Sequence, residues 1–420
     1  MSARMVIGDV FDCLAATPDG SVDLILTSPP FLALRSYLPA DHPDKAKEIG
    51  SEPDPGAFID TLLALSAEWR RVLAPHGSIA VELGDTYAGS GGAGGDYDTG
   101  QVRGGQQKFA GSALKDRKNK VLNANGQRMQ QGDGWPEAKS LALVPESYRL
   151  ALAYGRNPIT GTESPAGRWK VRNVVRWCRP NPPVGALGDK FRPATSDMVI
   201  ACTSRTRYFD LDAVRTESGS APKVVRVGAA SASKGISGGD SGNPDKERMS
   251  HNPAGAPPLD WWEVSTEAYS GSHYATWPRK LLTRPILAMC PQRVCLVCGE
   301  PSRRIAVTTN AVGHAVGRAS WESGTDGIGA GHSGDIAVHA NHPSVPDVAI
   351  RETLGWSTCG HDAWRNGIVL DPFAGSGTTL AVATGLGRDA VGFDLDERNA
   401  ALAMERVGMF LTVETLERAA

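Results

Sequence analysis

A chain of 420 residues, 41% hydrophobic and 21% charged, is long enough for two or three folded units and excludes global disorder. No apolar run approaches the roughly 18 residues that cross a bilayer, and the start Met-Ser-Ala-Arg has no signal-peptide core, so a cytoplasmic protein without a membrane partner is expected. The 44 Lys and Arg against 46 Asp and Glu give a net charge of −2, which taken as an average speaks against a nucleic-acid partner.

In chain order, Val22-Asp-Leu-Ile-Leu26 predicts a buried strand that stops at the turn residues Thr-Ser-Pro-Pro. Phe58, Leu62, Leu65, Trp69 and Val72 recur at steps of three and four, predicting an amphipathic helix over 57–73, and Ser78–Leu83 predicts a strand. Residues 88–135 are Gly-, Gln-, Asn- and Lys-rich, 216–258 are Ser/Gly/Pro-rich, and 303–355 show little periodicity, so all three read as loops or insertions. Between them, Leu143–Ala153 predicts a helix, and Val171–Trp177 and Met198–Cys202 predict strands. The chain ends as strand Ile368–Leu370, a Gly-rich turn, a helix from Thr378, strand Ala390–Phe393 and a helix from about Glu397. This alternation is that of a doubly wound α/β fold.

The strongest motif is Asp371-Pro372-Phe373-Ala-Gly375-Ser376-Gly377-Thr378-Thr379, directly after a strand and before a helix. Its glycines let backbone approach a ligand, and the helix start offers free N–H groups. Asp394, at the end of the next strand, is placed to accept hydrogen bonds from both ribose hydroxyls, so together these residues describe an adenosyl-cofactor pocket. There is no third glycine of a dinucleotide fingerprint, and an acid comes first, which suits a cationic sulfonium better than a pyrophosphate. No Walker Gly-Lys-Ser/Thr occurs, which disfavours a nucleotide triphosphatase.

The second motif is Thr27-Ser28-Pro29-Pro30-Phe31. The prolines remove N–H groups and leave carbonyls to accept, Ser28 adds a side-chain acceptor, and Phe31 adds a stacking face, so the site suits a planar amine. Seen alone, the motif is more often a simple proline turn.

Together these pieces resemble the amino-methyltransferases of DNA, which methylate cytosine N4 or adenine N6, in the permuted arrangement with TSPPF before DPFAGSGTT. Ile7-Gly-Asp9, the blocks Arg172–Pro182 and Tyr208–Asp210, His273–Leu282 and Val391-Gly-Phe-Asp394 extend the resemblance in the family's order. The resemblance implies a Rossmann-like S-adenosylmethionine-dependent fold, with Asp9 at the cofactor adenine and the His273 segment enclosing its methionine moiety. It implies base flipping, Phe31 stacking on the target, and direct transfer to the amine held by Ser28, Pro29 and Pro30. No Cys follows a Pro, so carbon-5 cytosine chemistry is disfavoured. In the family Ser is more usual at position 28 for cytosine N4 and Asp for adenine N6, so cytosine is preferred. Adenine N6, an RNA amine and a catalytically silent DNA-binding homologue are the alternatives. Double-stranded DNA is the implied partner, and the resemblance leaves room for a homodimer and a cognate restriction endonuclease.

Of the seven cysteines, only Cys295-x2-Cys298 has metal-ligand spacing. With Cys359 and His361 it would complete a four-ligand structural zinc site, for which His314, His332, His339 and His342 are substitutes. Cys290 reads as a core thiol. The resulting division is 1–211, catalytic half with a flexible insertion at 88–135; 212–262, target recognition; 263–291, the segment leading to the cofactor; 292–362, zinc insertion; and 363–420, cofactor half. The charge average also hides an asymmetry: residues 101–215 carry 20 basic and 9 acidic side chains, +11, leaving −13 elsewhere. Lys115, Arg117, Lys118 and Lys120 are the first candidates for phosphate contact, and Lys170, Arg172, Arg176 and Arg179 the next densest group, part of which is expected to brace strands.

Overall fold

All six residues of Val22–Thr27 are buried, the mark of a strand covered on both faces. The computed structural model describes residues 1–34, 37–39, 41–88, 134–182, 190–216, 224–226, 247–249, 252–267, 277–310 and 349–416. Their strands are β1 (Ala3–Ile7), β2 (Val22–Thr27), β3 (Leu73–Leu83), β4 (Lys170–Cys178), β5 (Thr195–Cys202), β6 (Val224–Arg226), β7 (Glu247–Met249), β8 (Trp261–Glu263), β9 (Arg293–Cys295), β10 (Arg304–Asn310), β11 (Ala349–Trp356), β12 (Trp364–Asn366), β13 (Ile368–Asp371), β14 (Asp389–Asp394) and β15 (Leu411–Thr415).

Nine of them form one sheet in the order β15-β1-β14-β13-β2-β3-β5-β4-β8. Neighbours from β15 to β3 run parallel, and β5 pairs antiparallel with both β3 and β4. The two ends of the chain interleave: β1 lies between β14 and β15, and β13 is inserted between β14 and β2, with Val369 opposite Leu24 and Leu370 opposite Ile25. Helices Val10–Ala15, Pro55–Val72 and Val144–Tyr154 pack on one core cluster, and helices Arg279–Met289, Thr378–Gly385 and Arg398–Val407 on the other, which makes the fold doubly wound α/β.

The helix Pro55–Val72 shows how local sequence builds a layer. Asp54 caps it by accepting from the Ala57 amide at 2.9 Å, and Pro55 occupies the first turn, where a missing N–H costs nothing. Its buried stripe contains Phe58, Leu62, Leu65, Trp69 and Val72, as the spacing predicts. The stretch 303–355 departs from its expectation, because β10 and β11 form an antiparallel hairpin across it. Arg304 pairs with Asp210 at 2.9 Å and Arg351 with Asp212 at 2.6 Å, tying that hairpin to the chain beyond β5.

At the amino ends of the central strands, fully buried Asp23 of β2 accepts from His76 Nε2 at 2.9 Å, from both terminal nitrogens of Arg365 at 2.5 and 3.1 Å, and from the Ile368 amide at 2.7 Å. Burial alone would raise its pKa, but the hydrogen bonds and charges of His76 and Arg365 outweigh it and hold the carboxyl below its ordinary range. Asp23→Asn strands the Arg365 charge and should cost about 3–5 kcal/mol by urea unfolding at neutral pH. Because the folded pKa is depressed, this contribution is present above the unfolded value and fades as pH falls below about 4, so the gap between wild type and variant should narrow there.

Candidate active site

Thr27 ends β2, Asp371 ends β13, and Thr27 Oγ1 donates to Asp371 Oδ1 at 2.7 Å. Since these strands are parallel neighbours, the loops Ser28–Phe31 and Pro372–Gly377 leave the sheet side by side at its carboxyl edge. The chain runs from β13 to one side and from β2 to the other, which opens a crevice at that point. A cavity of about 200 Å³ occupies it, and its walls bring together Asp9, Ser28, Pro29, Pro30, Phe31, Pro372, Phe373, Gly375 and Asp394.

Each wall residue is held by an identifiable contact. Asp9 caps the helix Val10–Ala15 by accepting from the Phe11 and Asp12 amides. Asp394 Oδ2 accepts from the Gly375 amide at 2.7 Å, and Oδ1 from the Asp396 amide at 2.8 Å and Asn399 Nδ2 at 3.0 Å. Burial pushes the Asp394 carboxyl above its ordinary pKa despite those bonds. The Phe31 ring lies against the backbone of Gly84, where an added Cβ would sit 2.5 Å from the ring, so only glycine seats this platform.

Asp371 itself does not line the cavity. It is 2% exposed, turned inward, and its other oxygen accepts from Thr379 Oγ1 at 2.5 Å, so it joins two loops instead of facing a sulfonium. Ser376, Gly377, Thr378 and Thr379 also stand behind the cavity wall, with Ser376, Thr378 and Thr379 buried. A ligand here meets the backbone of Pro372–Gly375 and not the helix start.

Glu82, unremarked in the sequence, carries the main chemical feature. It accepts from Ser28 Oγ at 2.6 Å, and Ser196 donates to it as well. Burial raises its pKa, opposed by those hydrogen bonds and by the charge of Arg179. The available signal was an acid inside the otherwise apolar run Ile79–Leu83, where an unpaired carboxylate would be costly. Also missed was a cover formed by Leu34, Tyr37, Leu38, Lys47, Glu48 and Ile49. Glu48 accepts from the Leu38 amide and pairs with Lys45 at 2.6 Å, while Arg398 donates to the Tyr37 carbonyl and pairs with Asp396, fastening the cover to the Asp394 loop.

The second basic group is partly spent inside the protein. Arg176 pairs with Asp197 at 3.1 Å, and Arg179 donates to Ser196 Oγ and the Thr195 carbonyl while stacking on Trp177. Lys115–Lys120, His273–Thr276 and His314, His332, His339 and His342 lie outside the described residues, as does most of 217–251. Cys290 is fully buried, while Cys295, Cys298, Cys359 and His361 bring their ligand atoms within 4.8 Å of one another.

Burial pushes the Asp371 carboxyl up to about 6, against hydrogen bonds from Thr379, Thr27 and the Phe373 amide. The folded protein therefore holds this proton more tightly than the unfolded chain does, and the stability it contributes falls as pH rises from about 4 to about 6. Asp371→Asn, which mimics the protonated form, should flatten that slope when urea midpoints are compared across the window.

A family model for DNA methylases matches residues 22–294 and 350–405, more than half of the chain. Type II methyltransferase M.SfiI of Streptomyces fimbriatus is 25% identical over 422 residues, covering 94% of this chain and 88% of that protein. Type II methyltransferase M.SmaI of Serratia marcescens is 24% identical over 409 residues, covering 97% and 91%. Among solved structures, the PvuII DNA methyltransferase (cytosine-N4-specific) aligns over 97% of this chain and 86% of its own at 13% identity, with a TM-score of 0.48. With the family's two motif loops side by side in one crevice, the chain belongs to the DNA methylase family, as an S-adenosylmethionine-dependent DNA methyltransferase of the N4/N6 amino type.

Proposed function

We propose that this protein methylates cytosine N4 in double-stranded DNA at a specific site. The observation that carries the reading is Ser28, on the cavity wall beside Pro29 and Phe31, bonded at 2.6 Å to Glu82 buried behind it. Phe31, backed by Gly84, offers its ring to a flipped base. Ser28 Oγ gives its proton to Glu82, so its lone pairs face outward and accept from one amino N–H, while the Pro29 carbonyl accepts from the other. Holding both protons localises the nitrogen lone pair towards the methyl donor. When bound, S-adenosylmethionine supplies an electrophilic methyl: the amine nitrogen bonds that carbon, the C–S bond breaks, and sulfur keeps the electron pair. The proton left on nitrogen passes through Ser28 to Glu82, whose raised pKa suits it to receive one.

The cavity fits that donor. Among the described residues, Asp394 Oδ2 accepts only from the Gly375 amide and keeps a lone pair that would take a ribose hydroxyl, Asp9 would meet the adenine, and Val10, Ile49 and Phe373 supply apolar walls. Ser28 supports cytosine, since the family more often places Asp there for adenine N6. The relatives' designation as Type II methyltransferases supports a role in modification beside a cognate restriction endonuclease. Residues 1–211 and 363–420 make up the catalytic and cofactor halves in this reading, with target recognition in 212–262 and phosphate contacts in the Lys115–Lys120 cluster. A structural zinc on Cys295, Cys298, Cys359 and His361 completes it, apart from the chemistry.

Nucleoside mass spectrometry of DNA from an expressing host should find N4-methylcytosine; N6-methyladenine without it would reverse the assignment. Ser28→Ala and Glu82→Gln should each lower transfer by roughly 10²–10⁴-fold while cofactor binding persists. Asp394→Ala should instead weaken S-adenosylmethionine binding by about 10-fold or more in calorimetry.

A further inference from the structure

We propose that zinc held by Cys295, Cys298, Cys359 and His361 acts at a distance from the active site, by seating Arg365 against Asp23 and so fixing where the cofactor strand β13 begins. This rests on the zinc assignment made under the proposed function and says what the metal does.

The ligand geometry is that of a closed site. Bond lengths of about 2.3 Å to sulfur and about 2.0 Å to nitrogen, at a tetrahedral angle, set sulfur and nitrogen about 3.5 Å apart. Cys295 Sγ and Cys359 Sγ lie 3.5 and 3.4 Å from His361 Nδ1. The Val297 amide points at Cys295 Sγ at 3.4 Å, and the Gly299 amide donates to the Cys295 carbonyl at 3.0 Å, which folds Cys298 back towards its partner. On the other arm only one residue separates Cys359 from His361, a spacing that needs a sharp turn. Gly360 supplies it at φ +82°, in the left-handed region that other residues rarely enter.

The ligands sit on both arms of a very short hairpin. Cys295 closes β9, and Cys359 and His361 immediately precede β12, with Cys295 opposite Trp364, Val294 opposite Arg365 and Arg293 opposite Asn366. Two strands of three residues do not hold together unaided. A metal clip supplies the closure, and because it bridges the long segment between Cys298 and Cys359 it removes much freedom from the unfolded chain. Trp364 Nε1 donates to the His361 carbonyl at 2.8 Å, which fixes β12 directly to a ligand residue.

The next residue is Arg365. Its guanidinium meets both oxygens of Asp23, and Asp23 accepts from the amide of Ile368, the first residue of β13. A chain of contacts thus runs from the metal through β12 and Arg365 to Asp23 and β13. Ile368 is the amino end of that strand and Asp371 the carboxyl end, so the metal stands at the edge of the sheet opposite the cavity. Its effect on catalysis is through the placement of a strand.

The test uses the full chain. Elemental analysis of protein purified without chelator should find one zinc per chain, lost in Cys298→Ser. If that variant does not fold, cobalt(II) added to zinc-depleted wild type should give thiolate-to-cobalt charge transfer and tetrahedral d–d bands. Absence of both signals overturns the zinc site and the inference with it. Urea midpoints are then compared for wild type and Arg365→Gln, each with zinc and after chelation. If zinc seats Arg365, chelation shifts the wild-type midpoint clearly more than that of the variant, which has already lost the contact. Equal shifts with zinc present overturn the coupling and leave the zinc site standing.

Discussion

Two parallel strands, β2 and β13, must lie side by side in one register for this protein to have a site at all. Leu24 opposite Val369 and Ile25 opposite Leu370 set that register in the middle. Asp23 secures the amino ends through Arg365 and the Ile368 amide, and Thr27 with Asp371 secures the carboxyl ends. A shift of one residue would turn every side chain of β13 to the opposite face and carry Asp371 away from Thr27. The Ser28–Phe31 loop and the Pro372–Gly377 loop would then no longer share a wall.

The two acids of that arrangement are shifted in opposite directions. Asp23, held by His76 and Arg365, is stabilised as an anion, whereas Asp371, buried and bonded to two hydroxyls and one amide, keeps its proton to about pH 6. A charge pair thus locks the edge away from the cavity, and hydroxyl hydrogen bonds to a buried carboxyl serve the edge that faces it. The acids that line the crevice itself are Asp9, Glu48, Asp394 and Asp396.

Much of this was legible in the sequence because it is local. Buried strands ending in turn residues, the 3–4 stripe of Phe58 to Val72, and TSPPF and DPFAGSGTT each taken by itself are patterns of near neighbours. What was not legible depends on contacts far apart in the chain. Glu82 matters because Ser28 reaches it across 54 positions, and the side chain of Asp371 turns inward because Thr27, 344 positions away, meets it. The hairpin β10–β11 escaped notice because residues 311–348 separate its arms and dilute the alternation. A charge count finds the basic group of Arg176 and Arg179, for which some bracing is expected, but it does not name Asp197, Ser196 and Trp177 as the partners that engage them. Likewise, the one-residue gap of Cys359-Gly-His361 demands a sharp turn, and only the fold shows that Gly360 makes it at φ +82°.

The interleaved sheet also has a bearing on synthesis. The central strand β13 is made after β1, β2 and β3, so until it emerges from the ribosome β2 has an unpaired edge and β1 lacks both of its eventual neighbours. The nascent chain therefore carries the Ser28–Phe31 loop before the Pro372–Gly377 loop that shares its crevice has been made. A polypeptide released before β14 lacks Asp394 and Asp396, so the crevice is walled only once strands from both halves of the chain have been made.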